Sequence, residues 1–126
     1  MGNNDRRKFA RVDVYSSISY VCVDDTGNLI DQQMGVALNI SQTGLLLETG
    51  QQLETNFISL MFVDLESNLA EIEGEIVYSQ PNNSGMFQNG IHFHASHAEN
   101  IEFAQKLIRA YHYRKSELVL IFGATA

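Results

Sequence analysis

From Val12 onward, apolar and polar side chains alternate in short bursts, each bounded by residues that favour turns. Val12 to Val23 is rich in Val, Ile and Tyr and ends on Asp24-Asp25-Thr26-Gly27-Asn28, where Gly27 and Asn28 suit a positive φ, so a hairpin is expected there. Leu29 to Ile40 forms the second strand. It leads into Ser41-Gln42-Thr43-Gly44, and Leu45-Leu46-Leu47 opens a third. Phe57 to Leu65 is a fourth, apolar on both alternations and therefore expected to be exposed on neither face. The clearest period of two is Glu71-Ile72-Glu73-Gly74-Glu75-Ile76, which puts three carboxylates on one face and Ile72, Gly74 and Ile76 on the other. A solvated outer face accounts for those carboxylates without a metal or acid–base chemistry. Pro81 to Gly85 reads as a loop and Met86 to His94 as the last strand. Strand signals at such short spacing are the pattern of an all-β barrel or sandwich.

The period then changes to that of a helix. Ser96-His97-Ala98-Glu99 matches a capping box, in which Ser96 and Glu99 satisfy free N–H groups of the first turn. Ile101, Ala104, Ile108 and Tyr111 recur on one stripe, with Phe103 and Leu107 beside it, so this face is expected to pack on the sheet. Lys106, Arg109, Arg114 and Lys115 lie toward the helix's C-terminal half, where positive charge suits the helix dipole. Leu118 to Phe122 is apolar enough to require a cover. The expected organisation is a basic, mobile arm over residues 1–11, a barrel with its helix over 12–116, and an apolar tail over 117–126.

Composition changes this picture in two respects. The single cysteine, Cys22, excludes an internal disulfide and fits a reducing cytosol; its apolar setting, Tyr20-Val21-Cys22-Val23, reads as a buried structural thiol. No apolar run is long enough to span a membrane, and the start of the chain has neither a secretory hydrophobic run nor the Ser or Thr of a myristoylation site. The second respect is charge. All eight Lys and Arg fall in two clusters, Arg6, Arg7, Lys8 and Arg11, then Lys106, Arg109, Arg114 and Lys115. Between Val12 and Gln105 there is no basic side chain, while thirteen of the fifteen acids lie there. Nucleic-acid-binding surfaces spread Lys and Arg over the fold to neutralise many phosphates. This body repels a long polyanion, and a compact anion held by a few arginines fits it instead.

Two short patterns carry the candidate chemistry. Arg7-Lys8-Phe9-Ala10-Arg11, preceded by Arg6, is an R-x-x-x-R; Asn39-Ile40-Ser41-Gln42-Thr43-Gly44 is an N-x-S-x-x-G placed between two strands. Each is weak alone, since a terminal basic run commonly solubilises and Asn, Ser and Gly are ordinary turn residues. Together, and with Gly74-Glu75-Ile76-Val77-Tyr78 and Gly90-Ile91-His92-Phe93 following, they make a chain that resembles the PilZ domain family over roughly residues 5 to 115. Tyr78 departs from the pattern at a position where tryptophan is frequent.

The resemblance implies a six-stranded antiparallel β-barrel closed on one side by a helix, no catalytic machinery, and binding of cyclic di-GMP. It assigns the ligand to Arg6, Arg7, Arg11, Asn39, Ser41 and Gly44. The chemistry agrees, because a guanidinium can fork onto a phosphate or onto guanine O6 and N7, or stack on the purine. Asn39 and Ser41 would offer oxygens to the guanine N–H edge, and Gly44 would permit a tight turn or close ligand approach. The family accepts Asp or Asn at position 39, and the neutral side chain implies a weaker contact with guanine donors. Arg6 looks like the type that favours a stacked, intercalated pair of ligand molecules, two per chain. Ordering of the arm on the ligand is the expected switch toward a downstream protein partner.

Three other readings compete. A ligand-independent adaptor could use the same barrel to hold a protein, although such members usually lack one or both motifs. Single-strand RNA binding is opposed by the acidic body and the absence of tryptophan. A metal site at His92, His94 and His97 has no cysteine partner and would need ligands from both sides of the helix start, and no G-x-S-x-G accompanies a nucleophile.

Overall fold

The structure, a computed structural model, describes residues 10–122, the last seven as backbone alone. Six strands, β1 (Val12–Val23), β2 (Leu29–Ile40), β3 (Gly44–Thr49), β4 (Phe57–Val63), β5 (Leu69–Pro81) and β6 (Phe87–Phe93), precede one helix, α1 (His97–Phe122). The strands close into an antiparallel barrel in the order β1-β2-β3-β6-β5-β4, with β4 returning to β1. This is the mainly β architecture expected, and closure removes most of the free edges an open sheet of this size would carry.

Three hairpin loops, Asp24–Asn28, Asp64–Asn68 and Asn82–Met86, share one hydrogen-bond design. In each, the first residue's N–H donates to the fifth residue's carbonyl, and the fourth N–H donates back to the first carbonyl. The first residue's Oδ1 also accepts the N–H groups of the third and fifth residues. The fourth position is left-handed in all three: Gly27 at φ 86°, Ser67 at 66° and Gly85 at 81°. Asn28, expected to share the positive φ, does not, because its amide is already held by Asp24. The Asp64 loop was not evident as a turn because it has neither Gly nor Pro.

Alternation sorts the side chains. Val14, Ile18, Ala37, Ile40, Leu45, Leu47, Ile58, Leu60, Ile72 and Ile91 fill the barrel, while Glu71 and Glu73 stand outside as expected. β4 departs from expectation: Phe57 and Val63 on its outer face are 43% and 52% exposed. Helix α1 covers only one side of the barrel, so an apolar outer face elsewhere remains in water. Pro81 ends β5, opposite Phe87, instead of opening the loop.

The capping box forms as read, with the Glu99 N–H donating to Ser96 Oγ and the Ser96 N–H to Glu99 Oε1, both at 3.1 Å. Those bonds hold the Glu99 carboxyl below its usual range. Phe103, Ala104, Leu107 and Ala110 are buried, and Phe103 meets Phe62 and Phe93 edge-on at 5.3 and 5.6 Å. The helix backbone runs on through Phe122, so residues 117–122 of the expected tail continue α1. This corrects the dipole account of the basic cluster: with the helix ending near Phe122, no basic residue lies in its last turn. Lys106 instead lies 3.7 Å from Asp64 and 3.3 Å from Glu102, and Arg114 donates to the Val63 carbonyl.

Candidate functional site

The pairing of β1 with β2 sets Asp13 opposite Asn39, which places residues just before β1 beside the end of β2. Arg11 uses that proximity. Its Nη1 donates to Asn39 Oδ1 at 2.8 Å, joining the two sequence motifs across 28 residues. Arg11 is exposed and, among the described residues, forms no ion pair. Because its partner is a neutral amide, the guanidinium keeps its charge available to an anion.

Asn39 begins a row across the outside of the barrel, Asn39–Leu46–Gly90–Tyr78, each residue the register partner of the next. Irregularities flank the row on three strands. β1 carries an extra residue between Asp13 and Ser16, β2 one between Ala37 and Asn39, and β5 one between Ile76 and Tyr78. Such bulges re-aim side chains and cluster near functional sites. On β5 the bulge leaves both Val77 and Tyr78 outward, 57% and 45% exposed; on β1 it leaves Tyr15 68% exposed at φ 47°. The Tyr78 ring lies across Gly90, where any Cβ would collide with it. A shallow cavity of 160 Å³ results, lined by Arg11, Thr43, Gly44, Val77, Tyr78 and His92 among others.

Ser41 and Gly44 shape the same end from within the turn. Ser41 is buried; its Oγ accepts the Thr43 N–H at 3.2 Å and lies 3.2 Å from the Thr43 hydroxyl, while its own N–H donates to the Gly44 carbonyl at 2.8 Å. Gly44 is buried at the start of β3, and a Cβ there would collide with the Ile91 carbonyl of β6. The close approach that demands glycine is therefore already made by the neighbouring strand. Arg6 and Arg7 lie outside the described residues. The structure thus brings together Arg11, Asn39 and, through the turn, Ser41 and Gly44. Val77, Tyr78 and His92 join them; the sequence placed all three in the late-strand patterns but not at this site, since a bulge leaves no mark in an apolar–polar pattern.

The other candidates resolve differently. His92 and His94 are exposed, their rings edge-on at 6.0 Å, and His94 Nε2 lies 3.2 Å from Glu75 Oε1. No cluster of three metal-ligating side chains occurs among the described residues. Cys22 is buried. A groove of 590 Å³ between β5 and α1 is lined by Glu71, Glu73, Glu99 and Glu102 together with Lys106, which already faces Asp64 and Glu102, so the lining stays net negative and repels a phosphate. Among the described residues no helix is long and apolar enough to cross a membrane.

The PilZ domain family model matches residues 5–112. The chain belongs to the PilZ domain family, a family of binding domains that includes cyclic di-GMP receptors. Solved structures share the fold at low identity. The PilZ domain of Escherichia coli YcgR with c-di-GMP is 10% identical at a TM-score of 0.54, with 90% of this chain and 97% of that chain covered. The Bacillus subtilis inhibitor of motility MotI/DgrA is 15% identical at 0.57, with 82% and 50% covered. The K. pneumonia MrkH–c-di-GMP complex is 18% identical at 0.51, with 93% and 53% covered. The chain spans about half the length of MotI and of MrkH. No curated protein matches it significantly.

Proposed function

We propose that this chain is a cyclic di-GMP receptor without catalytic activity, taking the nucleotide on the outer face of the barrel beside Arg11. The observation that carries this reading is the 2.8 Å bond from Arg11 to Asn39, which unites the R-x-x-x-R and N-x-S-x-x-G motifs at one place. Asn39 holds the guanidinium by its oxygen, leaving the remaining N–H donors for a phosphate or a guanine edge. Arg7 supplies the second clamp from the arm, and Arg6 sets the stoichiometry at two stacked ligand molecules. Ser41 and Gly44 act chiefly by shaping the turn that carries Asn39. Tyr78, Val77 and His92 line the adjoining cavity and provide apolar and aromatic surface for a purine. Two structural neighbours, the YcgR PilZ domain and MrkH, hold c-di-GMP in their solved complexes, which supports this choice among small phosphate ligands.

Ligand binding would order the arm on the barrel, and a downstream protein would distinguish the two states. The single cysteine, Cys22, supports action of the receptor in the reducing cytoplasm. Calorimetric titration with cyclic di-GMP tests the reading directly. Binding at micromolar affinity or tighter is expected, with two ligands per chain, and with loss in Arg7→Ala and Arg11→Ala. An absence of heat in the unsubstituted chain would rule out the receptor and leave the ligand-independent adaptor.

A further inference from the structure

β2 has twelve residues and β3 six, so β3 pairs only with the far half of β2, from Val36 to Ile40. The near half, Leu29–Met34, is bonded to β1 on one side and, among the described residues, has no strand on the other. Its free edge borders a groove of 600 Å³. Tyr20 and Cys22 of β1 form the floor, Asp31 and Gln33 of β2 one wall, and the Gln51–Thr55 segment between β3 and β4 the other. The β1–β2 register slips between Val21 and Val23, leaving two residues of β2 against one of β1 and letting Ile30 line the groove with Asp31 and Gln33.

Natural sheet edges are usually blunted by Lys, Pro or a covering element. Leu29–Met34 contains neither residue, and Leu29, Ile30 and Met34 are 72%, 46% and 62% exposed. The charge around the groove has one sign: Asp31 and Glu54 line it, and no Lys or Arg occurs between Val12 and Gln105. Pairing this edge with the same edge of a second copy would set acid against acid. A basic strand would meet complementary charge.

We infer that this edge is a docking site for an extended segment of a partner protein, added to β2 as an extra strand. Main-chain hydrogen bonds to the free edge supply affinity, apolar side chains cover the exposed Ile30 and the half-buried Leu53, and Lys or Arg side chains reach Asp31 and Glu54. The site lies at the opposite end of β2 from Asn39, so it does not depend on the cyclic di-GMP reading.

Panning the immobilised full chain against a random short-peptide phage library tests this. Enriched peptides should combine Lys or Arg with β-branched or aromatic residues. A synthetic peptide of the enriched sequence should shift the backbone amides of Gln32–Met34 and Gln52–Thr55 in NMR spectra. Its affinity should fall by about tenfold or more in the double variant Asp31→Lys/Glu54→Lys, and stay unchanged in Glu71→Lys/Glu73→Lys, which reverses the same charge elsewhere. All four residues are exposed, so both variants should keep the parent circular dichroism. Enrichment of peptides without basic residues, shifts on another surface, equal loss in both variants, or concentration-dependent dimerisation through the same amides would each overturn the proposal.

Discussion

Arg11 reaches Asn39 because strand pairing sets Asp13 against Asn39, and the neutral amide it meets leaves its charge uncompensated among the described residues. An aspartate at position 39 would neutralise the guanidinium, and under the proposed receptor function it would offer guanine a stronger acceptor in exchange. Gly44 shows how a motif residue can be demanded by the fold alone. A methyl group there collides with the Ile91 carbonyl, which belongs to backbone and cannot swing away. Gly44→Ala should therefore cost about 1–3 kcal/mol of stability, read as a lowered urea midpoint in the absence of any nucleotide. An unchanged midpoint would return Gly44 to a purely ligand-facing role.

At the scale of elements, three loops of one design tie the barrel together, and one of them bears a residue unsuited to its place. Ser67 takes the left-handed position that Gly27 and Gly85 take elsewhere. That conformation costs an L-residue roughly 1–2 kcal/mol, while glycine loses about 0.5–1 kcal/mol in unfolded-state entropy. Ser67→Gly should thus raise the thermal midpoint modestly, and a lowered midpoint would refute the argument. The same loop holds the buried Asp64, whose carboxyl is kept below the usual range by the N–H groups of Asn68 and Glu66 and by Lys106, against the opposing effect of burial. A depressed folded-state value means that this stabilisation is complete above the unfolded value of about 4 and is lost as pH falls through the folded one. Asp64→Asn should flatten the part of the acid limb of stability below about pH 4, checked by denaturation at stepped pH. The strands and the helix start were legible because each has a period and a bounding turn or cap. The Asp64 loop was not, because Asx geometry can replace Gly and Pro without leaving their signature. The helix end was missed as well: Leu118–Phe122 reads as an apolar run whether it continues a helix or leaves one.

At the scale of the whole molecule, charge is the organising quantity. A net charge of −7, with every Lys and Arg near one terminus or the other, confines attraction for anions to small regions of the surface. Single-stranded RNA should give no retarded band in a gel-shift assay at physiological salt, whereas a band resistant to added cyclic di-GMP would overturn the small-anion reading. Barrel closure then decides what that charge surrounds. Residues far apart in the chain become neighbours along the row Asn39–Leu46–Gly90–Tyr78, and the length mismatch of β2 and β3 opens the acidic groove at the other end. The sequence by itself determined the β-rich class, the element borders to within a few residues, the capped helix, the segregation of charge and the two motifs. Those are properties of short windows, where periodicity and turn chemistry act directly. Only the tertiary structure decided that Arg11 bonds Asn39, that Ser41 and Gly44 shape the turn, and that Val77, Tyr78 and His92 line a cavity with Arg11. Register shifts and closure set those contacts, and both arise from pairing between strands distant in the chain.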